Sequence, residues 1–408
     1  MARDIALRDA VLDWLTDENI DALYDVVKFC RESGKHGIGQ LLCDAGRRYE
    51  RDSNLRFEYE HSILAFYTKA CIDHAAYTRL IPRFSNALTN YKYYARALSQ
   101  LVPQREIHDY SETVERCQGS YVDTFHSSTP SIIKASGGYL MNVRYVNYAI
   151  THDGYYSFRH DGVKITSIYK TVLLDERFVV VNSRDIDVPV PTSPNVRYQG
   201  IEDVKLFEHG GDVLYFGTAQ DPVTMNLTLG HGVYAGVSPL GCAPVCASTA
   251  TICASPFGRS VEKNWCFAHD AAGALKVIYE FEPLTVCDLN GTDLSNVCVK
   301  TSESTGDALK LRGSTNGCTF GDEVWFVCHL ADPYSRPYEY YHIIVVLDSA
   351  TLTHKRRSTL FKFAGKPVEF CLGLVVLEDT VVMSYSEMDG SSKVMVVPRD
   401  GLQSALGF

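Results

Sequence analysis

The sequence predicts an α-helical domain over residues 1–120, built of TPR-like helical hairpins, followed by a five-bladed β-propeller over residues 121–408. Three observations carry this. Apolar residues recur at helical spacing up to about Ser99, the pattern changes to strand-type alternation after Pro130, and hairpin turns then recur at a near-regular interval. A chain of 408 residues also exceeds what one ordinary core accommodates, so two domains are expected.

In the first part, Ile5, Leu7, Val11, Leu12 and Leu15 form one stripe, and Asp17 or Asn19 is placed to cap the next segment. Ile20, Leu23, Tyr24, Val26, Val27 and Cys30 form a second stripe that ends at Gly34. Gly37 to Arg48 supplies a third, Phe57 to Ile72 a fourth, and Asn86 to Leu101 follows the break at Pro82. Short helices joined by short loops fit a stack of α-hairpins, without a clean 34-residue repeat. Tyr91, Tyr93 and Tyr94 read as core or interface aromatics, or as contacts to a peptide or glycan. Ser127-Ser128-Thr129-Pro130 reads as loop chemistry, which puts the boundary near residue 120.

The second part holds five hairpins. Their turns fall at Ser136 to Gly138, His209 to Asp212, Asp270 to Gly273, Gly321-Asp322 and Glu378-Asp379. The spacing is about 50 to 73 residues, and the gaps hold further strand-like runs such as Phe178 to Val181, Tyr341 to Leu347 and Val394 to Val397. Strands in fours at that period are the pattern of a propeller, and five similar units divide poorly between two sandwiches. In a propeller the innermost strands line the axis. Along or just before those strands lie Asn142 and Arg144, then Glu202, Asp203 and Lys205, then Glu262, Lys263 and Asn264, then Arg312 to Thr315, and Glu369. Such a mixed-charge funnel suits sugar hydroxyls, with Trp265 or Tyr148 as a stacking face. Strict alternation over Glu202 to Phe207 would send Glu202 and Asp203 to opposite faces, and Asp203 and Lys205 to the same one.

These residues resemble a known family. Gly200-Ile201-Glu202-Asp203-Val204-Lys205 is similar to the Gly-x-Glu-Asp-Pro-Arg motif of the inverting β-mannoside phosphorylases and related five-bladed carbohydrate-active propellers. Glu262-Lys263-Asn264-Trp265 resembles that family's Glu-Lys-Asn-Trp segment, and Cys371 to Leu374 followed by Ser384 to Asp389 is similar to its last blade. Helices followed by such a propeller also resemble C-terminal modules of tetratricopeptide-type glycosyltransferases of large DNA viruses and bacteria. The resemblance covers about residues 130 to 400. It implies that Asp203 is a general acid acting through a sugar hydroxyl and that Asp389 contacts sugar hydroxyls. It also implies cations that hold phosphate, for which Lys205, Lys263, Arg312 and His329 are available. Val204-Lys205 departs from the usual Pro-Arg. Lysine keeps the charge and loses the bidentate fork.

Each of these residues also has a plainer reading. Asp203 could cap a turn or pair with Lys205 or Arg144, and Glu202 could organise neighbouring backbone N–H groups. Lys263-Asn264 and Arg312 could join blades, and His329 could be a satisfied core histidine. Cys242, Cys246 and Cys253 lack a fourth zinc ligand at a suitable spacing. Lys355-Arg356-Arg357 reads as a solvated turn.

Composition removes other classes. Hydrophobic residues at 46% and charged residues at 22% describe a globular chain, and a net charge of −10 argues against a nucleic-acid surface. No apolar run approaches the ~20 residues of a membrane span. Met1 to Asp4 opens into an amphipathic pattern without a signal-peptide core, which leads to the expectation of a cytoplasmic protein, or one in the cytoplasmic phase of a virus infection, with its 13 cysteines reduced. On that reading the sequons at Asn226 and Asn290 mean little. No nucleophile elbow, Walker loop or dinucleotide fingerprint occurs.

The expected function is action on a glycosidic bond in the propeller funnel, by phosphorolysis, hydrolysis or glycosyl transfer. No metal or cofactor is expected, and inorganic phosphate or a sugar phosphate is the candidate co-substrate. The alternatives are a non-catalytic glycan- or protein-binding module, or a component of a larger assembly, whose protein partner would dock through the N-terminal helices.

Overall fold

Long apolar stretches broken by glycine and aspartate turns leave the chain little choice but antiparallel strands, and strands dominate the computed structural model. It describes residues 95–408 apart from 120, 161–163, 192, 194, 236–243, 245, 291–292, 301–310 and 333–336. The expected helices up to residue 94 lie outside the described residues. One compact unit, Arg96–Thr305 with Lys310–Leu406 and Phe408, holds nearly everything described.

Five larger sheets succeed one another along the chain. The first holds Thr113–Gln118, Tyr121–Ala135, Gly138–Val146, Ile165–Asp175, Val180–Ile186 and the short parallel strand Tyr198–Gln199. The second holds Glu202–His209, Asp212–Gln220, Leu227–Ala235, Cys246–Ala247 and Thr251–Ile252, and the third Cys266–His269, Leu275–Phe281, Leu284–Asn290 and Asp293–Lys300. The fourth is built around Glu323–Asp332 and Glu339–Asp348. The fifth holds Glu369–Val376, Thr380–Glu387 and Lys393–Pro398, and is completed by Glu106–Asp109 from the far end of the unit. Completing the last sheet with an early strand ties the two ends of the unit together, so the arrangement is propeller-like.

All five hairpins read from the sequence are present. The boundary is different. Glu106–Asp109 and Thr113–Gln118 are strands of these sheets, so β-structure begins upstream of residue 120. Ser127 to Pro130 is likewise no loop but a bulged part of Tyr121–Ala135, facing Gly138–Val146.

Apolar clusters fill the seams between consecutive sheets. Phe125, Ile132 and Met141 meet Val375 and Val382, Leu140 and Tyr169 meet Ile201, Val204 and Leu206, and Phe207 and Phe216 meet Trp265 and Phe267. Trp325 and Ile344 meet Leu374 and Met383, with Leu402 and Leu406 of the closing helix Arg399–Leu406. Gly138–Val146 and Glu369–Val376 are buried along their whole length, which explains why neither alternates.

Polar side chains link the same seams at the centre. Ser131 Oγ accepts from Leu206 N–H (3.0 Å), and Asn316 donates to Leu206 O (2.8 Å) while accepting from Phe267 N–H (2.9 Å). Ser384 donates to Pro130 O (2.7 Å).

Glu369, read above as a possible sugar ligand, is fully buried. It accepts from the amides of Phe363 (2.6 Å), Ala364 (2.8 Å) and Lys366 (2.8 Å). Its carboxylate holds a turn rather than facing the funnel. Glu369→Ala removes the acceptor of three turn amides, of which that of Phe363 is buried, and we expect it to lower stability by about 2 kcal/mol in denaturant unfolding.

Candidate active site

Glu202–His209 begins irregularly. Gly200 has φ +90°, and a Cβ there would lie 2.7 Å from the Tyr169 hydroxyl and 2.8 Å from Ser167 O. That hydroxyl donates to Ile201 O (2.7 Å) and accepts from Ile201 N–H, clamping the residue before the carboxylates. The ladder then pairs Glu202 with Thr218 and next Lys205 with Phe216, so a bulge falls between them. Asp203 takes up the bulge with φ +57°, a conformation aspartate tolerates better than most residues. The bulge overturns the alternation expected from the sequence. Glu202 and Asp203 both line one cavity, and Lys205 turns away into the core.

The cavity has a volume of about 570 Å³. Its charged wall is Arg144, Arg197, Glu202, Asp203 and Asp389, and its aromatic wall is Tyr155, Tyr156, Phe158, Tyr338, Tyr340 and Phe370. Arg144 is 2% exposed and is held by its Nε on Ser167 Oγ (2.8 Å). Its Nη1 donates to Asp203 Oδ1 (3.0 Å), which also accepts from Thr129 Oγ1 (3.3 Å). Glu202 accepts from Lys263 Nζ at 2.5 Å. Asp389, at φ +50°, accepts from Tyr148 (3.0 Å) and Ser128 (3.4 Å) hydroxyls.

These environments separate the carboxylates. Burial and the neighbouring Glu202 charge push Asp203 up to about 6, only partly offset by Arg144 and Lys263. Burial also acts to raise Glu202, but Lys263 and Arg144 outweigh it and hold that carboxyl below its ordinary range. Burial raises Asp389 against the opposing pull of Arg144 and Tyr148. Burial opposes the charge of Arg144, and Tyr148, Asp203, Glu202 and Asp389 together keep it protonated. Where neighbouring carboxyls are driven apart in this way, one is fitted to give a proton while the other stays ionised.

Arg144, Glu202, Asp203 and Asp389 are thus brought together, with Lys263 behind Glu202. Asn142, Lys205, Arg312 and His329, also singled out from the sequence, do not line this cavity. Asn142 is buried and accepts from the Tyr234 hydroxyl (2.7 Å). Lys205 Nζ donates to Trp265 O (2.6 Å) over the Phe216 ring, because the bulge reverses its side. Arg312 is an exposed residue of a strand paired with Glu323–Asp332. His329 is buried, shares a hydrogen bond with Ser314 (2.7 Å) and packs on Phe370, and burial with nearby His342 keeps it neutral. Asn264, at φ +68°, borders a small void of about 20 Å³ with Lys205, Glu262, Lys263 and Trp265. Trp265 is buried against Tyr279, and the Tyr148 ring is buried as well, so neither offers a free stacking face.

Sequence reading missed Thr129, Arg197, Tyr156, Tyr340 and Phe370. Only Thr129 carried a signal, and it was read as loop. Cys242 lies outside the described residues. Among the described residues no group of three or more His, Cys, Asp or Glu side chains could hold a metal ion, and no helix is long and apolar enough to cross a membrane.

No family model matches the chain, and no curated protein matches its sequence. Solved structures do. A β-1,2-mannobiose phosphorylase from Listeria innocua is 12% identical, with a TM-score of 0.48 over 74% of this chain and 99% of its own. A structure reported for GH130 glycoside hydrolases that target β-1,2 mannosidic linkages is 11% identical, with a TM-score of 0.45 over 68% and 86%. A GDP-Man-dependent mannosyltransferase from Leishmania mexicana is 11% identical, with a TM-score of 0.43 over 67% and 86%.

Asp203 also leaves a mark on stability. Its folded pKa of about 6 lies above the ordinary 3.8, so the folded chain binds more protons between these values. The stability it contributes is therefore complete below pH 3.8 and is lost as pH rises through 6. Asp203→Asn removes that titration. Its melting temperature relative to wild type should rise across the interval, by the equivalent of roughly 2–3 kcal/mol.

Proposed function

We propose that this protein is carbohydrate-active and works on a glycosidic bond, with a mannoside as the leading substrate class. On this reading Asp203 is the general acid, acting through a sugar hydroxyl as the motif resemblance implies, and Asp389 and Arg144 hold sugar hydroxyls. The observation that carries the reading is the convergence of Glu202, Asp203 and Asp389 on an aromatic-walled cavity, with Asp203 held near pKa 6 beside an ionised Glu202. Burial first, and then the charge of Glu202, itself tied to Lys263, raise Asp203 to about 6. We also propose that the five larger sheets are the blades of a five-bladed propeller, with the cavity at one end of the axis.

Phosphate as co-substrate belongs to the same proposal, and its site would differ from the one the motif suggests. Lys205 is bound to Trp265 O, Arg312 is off the wall, and Lys263 is neutralised by Glu202. Arg144 and Arg197 are the wall cations that would meet it.

Release of sugar or sugar phosphate from a mannoside panel tests the reading. Asp203→Asn should cut turnover by about 10²–10⁴-fold while sugar binding persists. In wild type, kcat/KM should be level below about pH 6 and fall tenfold per pH unit above it, because only the protonated acid works. A wild type that binds sugar but turns over no mannoside, with or without phosphate, supports the alternative of a glycan-binding module.

A further inference from the structure

A two-stranded sheet, Tyr148–Ile150 with Tyr156–Phe158, stands apart from the five larger ones and forms one side of the cavity. Its turn is closed by Thr151 N–H on Tyr155 O (2.9 Å) and Tyr155 N–H on Thr151 Oγ1 (3.0 Å). At the tip, Gly154 has φ +81°, and a Cβ there would lie 2.7 Å from Pro337 Cα. The hairpin therefore rests on the segment that leads into Glu339–Asp348 of a different sheet, and the two together wall the cavity. Three aromatic rings on that wall are open to solvent: Tyr155 is 71% exposed, Tyr156 45% and Tyr338 45%. Their position is coupled to the carboxylates. The Tyr156 ring lies 4.4 Å from that of Tyr148, whose hydroxyl donates to Asp389.

Resting on the carbohydrate reading above, we propose that Tyr155, Tyr156 and Tyr338 form an outer subsite that stacks on the sugar next to the one held at Asp203 and Asp389. An aromatic face is electron-rich and attracts the weakly positive C–H face of a pyranose, while the sugar's hydroxyls stay in water. That chemistry needs exposed, well-positioned rings, which is what the hairpin presents. The inner wall, with Arg144, Glu202, Asp203 and Asp389, has the charged hydrogen-bonding groups that the three outer tyrosines lack. One end of the cavity would then read hydroxyls, and the other the ring face of the neighbouring unit.

Calorimetric titration of the full chain with mannose and with manno-disaccharides tests this. Wild type should bind a disaccharide more tightly than mannose. Tyr155→Ala and Tyr156→Ala should each weaken the disaccharide by up to about tenfold and shift mannose by less than about twofold. Tyr156→Phe, which keeps the ring, should bind like wild type. Circular dichroism of each variant checks that it folds, and Tyr155, the most exposed of the three, is the variant least exposed to misfolding. Variants that weaken both sugars alike, or neither, overturn the outer subsite and leave the carbohydrate reading standing. A wild type that binds neither sugar overturns the carbohydrate reading, and this inference with it.

Discussion

The structure depends on polar contacts that cross from sheet to sheet where the inner strands meet. Ser131 takes the Leu206 amide, Asn316 spans Leu206 O and the Phe267 amide, and Ser384 reaches Pro130 O. Apolar seams alone would let neighbouring sheets slide, because burial is non-directional. Buried hydrogen bonds fix which residue faces which, since a one-residue slip would orphan both partners. With those registers set, Arg144 near the end of Gly138–Val146, Glu202 at the start of Glu202–His209 and Lys263 just before Cys266–His269 converge. The site is a consequence of the register.

Charge at that convergence is arranged asymmetrically. Arg144, nearly devoid of solvent, faces Asp203, while Lys263 takes Glu202 in a closer contact. Adjacent carboxyls therefore experience different surroundings and titrate apart. Backbone strain accompanies this. Asp203, Asn264 and Asp389 all hold positive φ, a conformation that costs about 1 kcal/mol or more at non-glycine residues and persists where the surroundings impose it. Three such residues within or beside one cavity, one in a strand and two in loops far apart in sequence, argue that its shape is held by the fold around it.

Much of the fold could be read along the chain. The five hairpins follow from turn residues and apolar alternation, both local properties, and each is present. The bulged strand around Ser128 and Thr129 was misread, because Ser-Ser-Thr-Pro is turn chemistry unless neighbouring strands impose pairing. The early strands before residue 120 were missed for a similar reason: Glu106–Asp109 is polar, and its partner lies almost 300 residues away. Of the candidate site residues, Arg144, Glu202, Asp203 and Asp389 line the cavity, whereas Lys205, Arg312, His329, Asn142 and Glu369 do not.

By itself the sequence determined the strand-rich architecture, the hairpin positions and the cluster of ionisable groups at strand starts, because these are set by local composition and spacing. Only the tertiary structure decided which of those groups meet. The bulge at Asp203 put Glu202 and Asp203 on one wall and, by shifting the register, set Lys205 opposite Phe216, where it reaches Trp265 O in the core and not the cavity. Tyr156, Tyr340 and Phe370 reached the cavity from separate sheets, and no local signal distinguishes them from aromatic residues of the core. Side-chain direction at a bulge, and proximity between residues far apart in sequence, arise from packing and not from spacing along the chain.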